Sequence, residues 1–294
     1  GLVFGEVQTF KNMAVVPLFT PGDGRPEYVM LKDALHGKLI TITEINRGGS
    51  VPELKVINHS DQFVLLLDGE EVMGAKQNRV LNTSILIQGK SELIVPVSCT
   101  EQGRWRHTSD TFSYSDTVMS PDVRAKKARS VSESYMMEQT AISDQSEVWS
   151  EIALLHADMG TSSETGAMRE AYTSKGADLD AYVEAFPSVS NQRGCLVFLN
   201  GVAMGLDVLS REDAYQTVHD QLIKSYAMDA LRRSNGKATS PVSENAEAFR
   251  QKAEQCRESR FESPGVGHDY RFDGNEAIGS ALVYEEHVIH AAFF

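Results

Sequence analysis

The chain is predicted to be an α+β protein, with an antiparallel β-sandwich or barrel-like N-terminal half followed by helices packed on antiparallel hairpins. Three observations point there. Short β-branched runs recur through the first hundred residues. Apolar residues then change to helical spacing near residue 118. Two hairpin signatures return later, at Asn200-Gly201 and near Glu285-Glu286-His287. The composition shift divides the chain into residues 1–118, mostly β, and 119–294, α+β, with the option of one shared core.

The strand runs are Ala14 to Phe19, Leu39 to Ile45, Leu54 to Ile57, Phe63 to Leu67, Ser84 to Ile87 and Leu93 to Val97. Turn-forming residues separate them, among them Asn46-Arg47-Gly48-Gly49, Asn58 to Asp61, Asp68-Gly69 and Gln88-Gly89-Lys90. One short helix is expected near Leu31 to His36. Ser120-Pro121 then places a hydroxyl before a proline suited to a first helical turn, with Ala128, Val131 and Tyr135 as its stripe. Ser143-Asp144 opens a second helix bearing Val148, Ile152, Leu155 and Met159. Leu179, Tyr182, Val183 and Phe186 mark a third.

Asn200-Gly201 lies between two apolar runs, and both turn positions must accept positive φ. Ser210 opens a long helix with Tyr215, Val218, Leu222 and Tyr226 on one face. Ser234 to Ser240 is expected to be a polar loop. Ala246, Phe249, Ala253 and Cys256 define another helix, and Ile278 to Phe294 a final hairpin.

Charge and cysteine usage narrow the function classes. The 294 residues carry 28 Lys and Arg against 41 Asp and Glu, a net charge of −13. That field opposes coating of a nucleic-acid polymer or an anionic membrane. Three scattered cysteines show neither a disulfide framework nor zinc spacing, and a reducing cytoplasm is expected. No apolar run reaches the about 18–20 residues that span a bilayer, and the N-terminus has no signal-peptide pattern. HExxH, GxSxG and Walker patterns are absent from the sequence.

The densest chemistry lies between residues 68 and 106. A hairpin of Ile85–Ile87 with Leu93–Val97 would bring Lys76–Asn82 and Cys99–Arg104 to one end of a sheet. The resulting pocket would suit a small anion. Lys76, Arg79 and Arg104 would hold phosphate, and Gln77, Asn78, Asn82 and Gln102 would orient the ligand. Trp105 would stack on a base or sugar. Glu70 and Glu101 are the candidate acid/base pair, and the same pair could ligate a divalent cation. Glu70 and Glu71 are adjacent on a strand, so only one of them can face that pocket. Cys99, at a strand end, is a candidate nucleophile. Arg124, Lys126, Lys127 and Arg129 are expected to form a solvated helix face, one or two of them extending the anion site if the helix packs across it. His287 and His290 make a poor metal pair. The competing reading is a non-catalytic interaction module whose charges satisfy one another, with a protein partner or homo-oligomer left open.

The segment from Asp68 to Leu86, with Val95 to Trp105, resembles the ARG and rhodanese-phosphatase-superfamily-associated protein domain, a prokaryotic family. The resemblance extends to Gly48–Leu54, Ser143–Gln145 before Val148-Trp149, and Tyr226–Leu231. It implies an association with ADP-ribosylglycohydrolases and phosphatase-like proteins, and through them with nucleotide or ADP-ribose metabolism in prokaryotic conflict systems. It carries no established activity and assigns no residue a role.

Overall fold

Burial alternates along the strands at 28–30, 40–43 and 53–58 and is continuous along those at 13–18, 79–81 and 85–87, while the helix at 145–159 buries one stripe. The computed structural model describes residues 1–46, 48–234 and 243–294. It begins with β1 (Val3–Phe4), β2 (Gln8–Phe10), β3 (Met13–Phe19), β4 (Tyr28–Met30) and helix α1 (Leu31–His36). Then come β5 (Ile40–Thr43), β6 (Glu53–Asn58), β7 (Phe63–Leu66), β8 (Glu70–Gly74) and β9 (Arg79–Leu81). Strands β10 (Ile85–Ile87), β11 (Glu92–Cys99) and β12 (Phe112–Val118) complete the first half. Four helices follow, α2 (Pro121–Glu138), α3 (Gln145–Met159), α4 (Met168–Ser174) and α5 (Gly176–Ala185). After them come β13 (Gly194–Leu199), β14 (Val202–Leu209), α6 (Glu212–Arg232) and α7 (Ser243–Glu254). The chain ends with β15 (Arg257–Glu262), β16 (His268–Asp273), β17 (Ile278–Tyr284) and β18 (His287–Phe293).

The class is α+β, with almost wholly antiparallel sheets; β4 and β7 form the one parallel pair among the described residues. A nine-stranded sheet runs β1-β3-β13-β14-β18-β17-β16-β15, with β2 also on β3. A six-stranded sheet runs β12-β8-β9-β11-β6-β5, and β10-β7-β4 forms a third. The largest apolar cluster joins Met13, Leu65 and Val118 to Tyr172, Leu222 and Ile289, on both sides of residue 118.

Several elements form as their residues predict. Asp144 caps α3, its carboxylate accepting from the Ser146 and Glu147 amides. Asn200 and Gly201 adopt φ of 51° and 81°, closing a two-residue loop from Leu199 to Val202. Three features were not expected. Strands β12, β15 and β16 are too polar to show as strands. Helix α4 is a seven-residue turn without a long stripe. The expected Ile85–Ile87 hairpin with Leu93–Val97 does not form. Strand β10 pairs with β7, and β11 pairs with β6 and β9. Asn58 stitches that divergence, donating to the carbonyls of Gln62 and Gln88. Residues 235–240 of the expected polar loop, and Arg47, lie outside the described residues.

The expected solvated face of α2 is also corrected. Lys126 and Arg129 are exposed, but Arg124 and Lys127 are fully buried. Arg124 donates to both oxygens of Asp207 at 2.8 and 3.0 Å, and through Nε to Asp68 at 3.2 Å. Lys127 donates to Asp68 and to the carbonyls of Leu81 and Asn82. Tyr226 and His290 also bond Asp207, and His290 reaches Ser84 at 2.7 Å. Gly69 makes room for this. Its φ is +85°, and a Cβ there would lie 2.9 Å from Arg124 Cδ. Burial alone would raise the carboxyls of Asp68 and Asp207, but the facing cations hold both below their ordinary range.

Among the described residues no helix is long and apolar enough to cross a membrane. Replacing Arg124 by Met should cost about 3–5 kcal/mol, because Asp207 is left buried without its guanidinium. Urea melts measure this, and a loss below about 1 kcal/mol would show that the network is dispensable.

Candidate functional site

Two strand pairings bring the polar segments together. Strand β8 pairs with β9 through Glu71–Val80 and Val72–Arg79. Strand β11 runs beside β6 as far as Pro96, then beside β9, setting Cys99 against Arg79. The convergence expected from a hairpin therefore arises by direct pairing of the two segments.

Most polar side chains here satisfy one another. Glu70 accepts from the Leu67 amide at 2.8 Å and the Tyr114 hydroxyl at 3.0 Å. Glu71, pointing to the opposite face, accepts from the hydroxyls of Thr100 and Ser115. Glu101 accepts from the Asn78 amide at 3.2 Å, Thr165 at 2.8 Å and Arg104 at 2.7 Å. The structure thus does not join Glu70 with Glu101; Glu71, through Thr100, lies on the Glu101 side. Gln77 donates to the Glu101 carbonyl at 3.0 Å, and Arg104 to the Gly74 and Ala75 carbonyls. Asn82 bridges Ser98 and the Ala141 carbonyl, away from Arg79. Gln102 is exposed.

Arg79 is the main exception. Its side chain is 0% exposed, yet Nε and Nη2 have no hydrogen-bond partner among the described residues. Nη1 makes only a long bond, 3.4 Å, to the Asn78 carbonyl. Glu44 Oε1 is 3.8 Å from Nη2, beyond hydrogen-bond range, and Glu44 Oε2 has no partner either. Nε–H and Nη2–H share one edge of the guanidinium, the edge that grips two oxygens of a carboxylate or phosphate side-on. Gln77 Oε1 and Trp149 Nε1 are also buried without partners among the described residues.

A cap lies over this edge. The Trp105 ring covers Lys76 at 4.9 Å and Arg79 at 5.8 Å, and is itself half exposed. Lys76 Nζ donates to the Gly48 carbonyl at 2.6 Å. Gly49, at φ +78°, lets that loop close down, since a Cβ would meet Lys76 Cδ at 3.1 Å and Trp105 at 3.3 Å. Beside the cap is an open cavity of about 340 Å³, lined by Glu44, Asn46, Lys76, His107 and Ser109. Arg79 and Lys76 here face Glu44 and, at the outer wall of the cavity, Asp110.

Cys99 is buried, and burial raises its thiol despite the Arg79 charge, so it rests as a neutral thiol. It accepts from the Glu101 amide at 3.4 Å, and none of its hydrogen-bond partners is a general base. Among the described residues no group of three His, Cys, Asp or Glu is placed to hold a metal ion. Glu44 was not anticipated from sequence; its signal was a lone charge in the run Leu39 to Ile45. His156 and His219 are buried and bonded to the Ala167 and Phe186 carbonyls, as structural residues are.

Fold and site together define an α+β protein with a buried, partly unsatisfied cationic centre on a three-strand junction. The family model for the ARG and Rhodanese-Phosphatase-superfamily-associated Protein domain matches residues 1–294, and the chain belongs to that family. No curated protein and no solved structure matches it.

Burial lifts both Glu70 and Glu71 from the ordinary 4.5 to about 7, outweighing their hydrogen bonds. The folded state then holds protons that the unfolded chain has released, so both groups make stability fall as pH rises from about 4.5 to about 7. Glu71→Gln should flatten that decline, measured as melting temperature from pH 5 to 8. An unchanged slope would refute the assignment.

Proposed function

We propose that the chain binds a small anionic, nucleotide-like ligand at Arg79, an ADP-ribose or NAD-derived molecule or another phosphorylated compound. One observation carries this reading. A fully buried guanidinium leaves its bidentate edge unsatisfied, which costs about 1–3 kcal/mol per unpaired group unless an oxyanion takes it. Lys76 adds charge as the cap opens, and Trp105 offers a ring face to a base or ribose. The adjoining cavity has room for the rest of the ligand. The family's named association with ADP-ribosylglycohydrolases and phosphatase-like proteins fits that ligand class, and the three free cysteines fit a cytoplasmic setting.

Hydrolysis of the bound ligand extends the proposal. Glu101 lies within electrostatic range of Arg79 and is its acid/base candidate. In this role Glu101→Gln abolishes turnover while binding persists.

The second reading is a protein-interaction module whose cluster is a structural network. The bonds that satisfy Glu70, Glu71, Glu101 and Arg104 from within favour it. On that reading Glu101→Gln leaves Arg104 largely buried without its counter-charge and costs about 3–5 kcal/mol of stability.

Thermal melts with ADP-ribose, NAD, nucleotides and inorganic phosphate, with and without Mg²⁺, separate the two. A ligand at 100 times its Kd should stabilise by about 2.7 kcal/mol. Arg79→Lys keeps the charge but loses the fork, and should weaken binding about tenfold. No shift with any of these anions would overturn the proposal.

A further inference from the structure

We infer that the face between α2 and the β15–β16 edge is a second anion site, built for a small phosphate monoester carrying an apolar group. The strand register pairs Arg257 with Asp273 and Ser259 with Arg271, which places all four side chains on one face. Helix α2 lays Arg129, Ser132, Glu133 and Met136 across that face, at i, i+3, i+4 and i+7. Between them is a cavity of about 160 Å³, the scale of a phosphate group with a small substituent.

Arg271 forms its floor. It is 3% exposed and held rigidly, with Nη2 donating to Thr83 at 2.7 Å and Asp269 at 2.8 Å, and its guanidinium over the Tyr135 ring. Its Nε has no partner among the described residues. Arg129 and Arg257 form the rim. Asp273 lies 3.7 Å from Arg129, and Arg257 has no carboxylate partner among the described residues. Asp269 already balances Arg271, and at the rim Arg129 and Arg257 stand against Glu133 and Asp273, so the site selects by the geometry of its donors and not by surplus charge. Three planar donors around one small cavity suit the several oxygens of a tetrahedral anion better than the two of a carboxylate. Met136 and Met137, 54% and 84% exposed, give the rim an adaptable apolar side for the ester group.

Calorimetric titration with phenyl phosphate, inorganic phosphate and benzoate tests the site. Arg129→Gln and Arg257→Gln alter exposed side chains, so melting temperature should hold while phenyl phosphate binding weakens about tenfold in each. Inorganic phosphate should bind more weakly than phenyl phosphate, with Met137→Ser narrowing the gap. Arg79→Gln should leave this binding unchanged even where it abolishes ligand binding at the first site. Unaltered affinity in both rim variants would overturn the inference. So would loss confined to Arg79→Gln, which would place the phosphate at the first site, or benzoate binding as tightly as phenyl phosphate.

Discussion

The fully buried guanidinium of Arg124 is the contact on which the architecture depends. It rises from α2, lies against the bare backbone of Gly69, and pairs with Asp68 from one sheet system and Asp207 from another. An isolated buried charge would cost several kcal/mol, so this arrangement is admissible only with every partner in place. Lys127, Tyr226, His290 and Ser84 complete the set, drawing on α2, α6, β18 and the segment before β10. Electrostatics thereby fixes how the helical layer docks, with a directional specificity that apolar packing alone lacks.

The contrast with Arg79 gives the candidate site its meaning. Both guanidiniums are withdrawn from water, yet one has three carboxylate bonds and the other a single long bond to a carbonyl. Burial lowers Arg79's affinity for its proton, partly offset by the Glu44 carboxylate. Native proteins rarely leave such groups unpaired, and exceptions concentrate where something binds. The surrounding amide and carboxylate groups act as scaffolding, fixing the turn between β8 and β9 so that one edge of one side chain stays unpaired beneath its cap.

Much of this was legible in the sequence, and the remainder failed for identifiable reasons. Local signals carried: Pro121, Asp144 and Asn200-Gly201 each act within a few residues and form the structures that their chemistry demands, although the Ser120 hydroxyl, expected to cap α2, makes no cap hydrogen bond. The meeting of residues 76–82 with 99–104 was also legible, though by another route. Strand partners follow long-range packing, and β10 finds β7 rather than its sequence neighbour. The buried role of Arg124 and Lys127 was hidden because their counter-ions, Asp68 and Asp207, lie 56 and 83 residues from Arg124. Glu44 was missed for the same reason: nothing local says that a strand-end carboxylate will face a buried arginine.

The pairing of β3 with β13 has a consequence for how the chain reaches this state. Val15 and Val197 are cross-strand partners, although helices α1 to α5 lie between them in sequence. During synthesis the strand Met13–Phe19, six of whose seven residues end up buried, emerges long before its partner exists. Its ladder groups must wait while some 180 further residues are made, at about 5–20 residues per second. Such non-local closure is slow, and it leaves an apolar strand edge open to neighbouring chains in the interval. The β-hairpin with β2, kept in the finished sheet, gives the waiting strand a mate on one side. Its other edge stays bare until Gly194–Leu199 arrives, so vectorial folding of this protein turns on shielding a single edge.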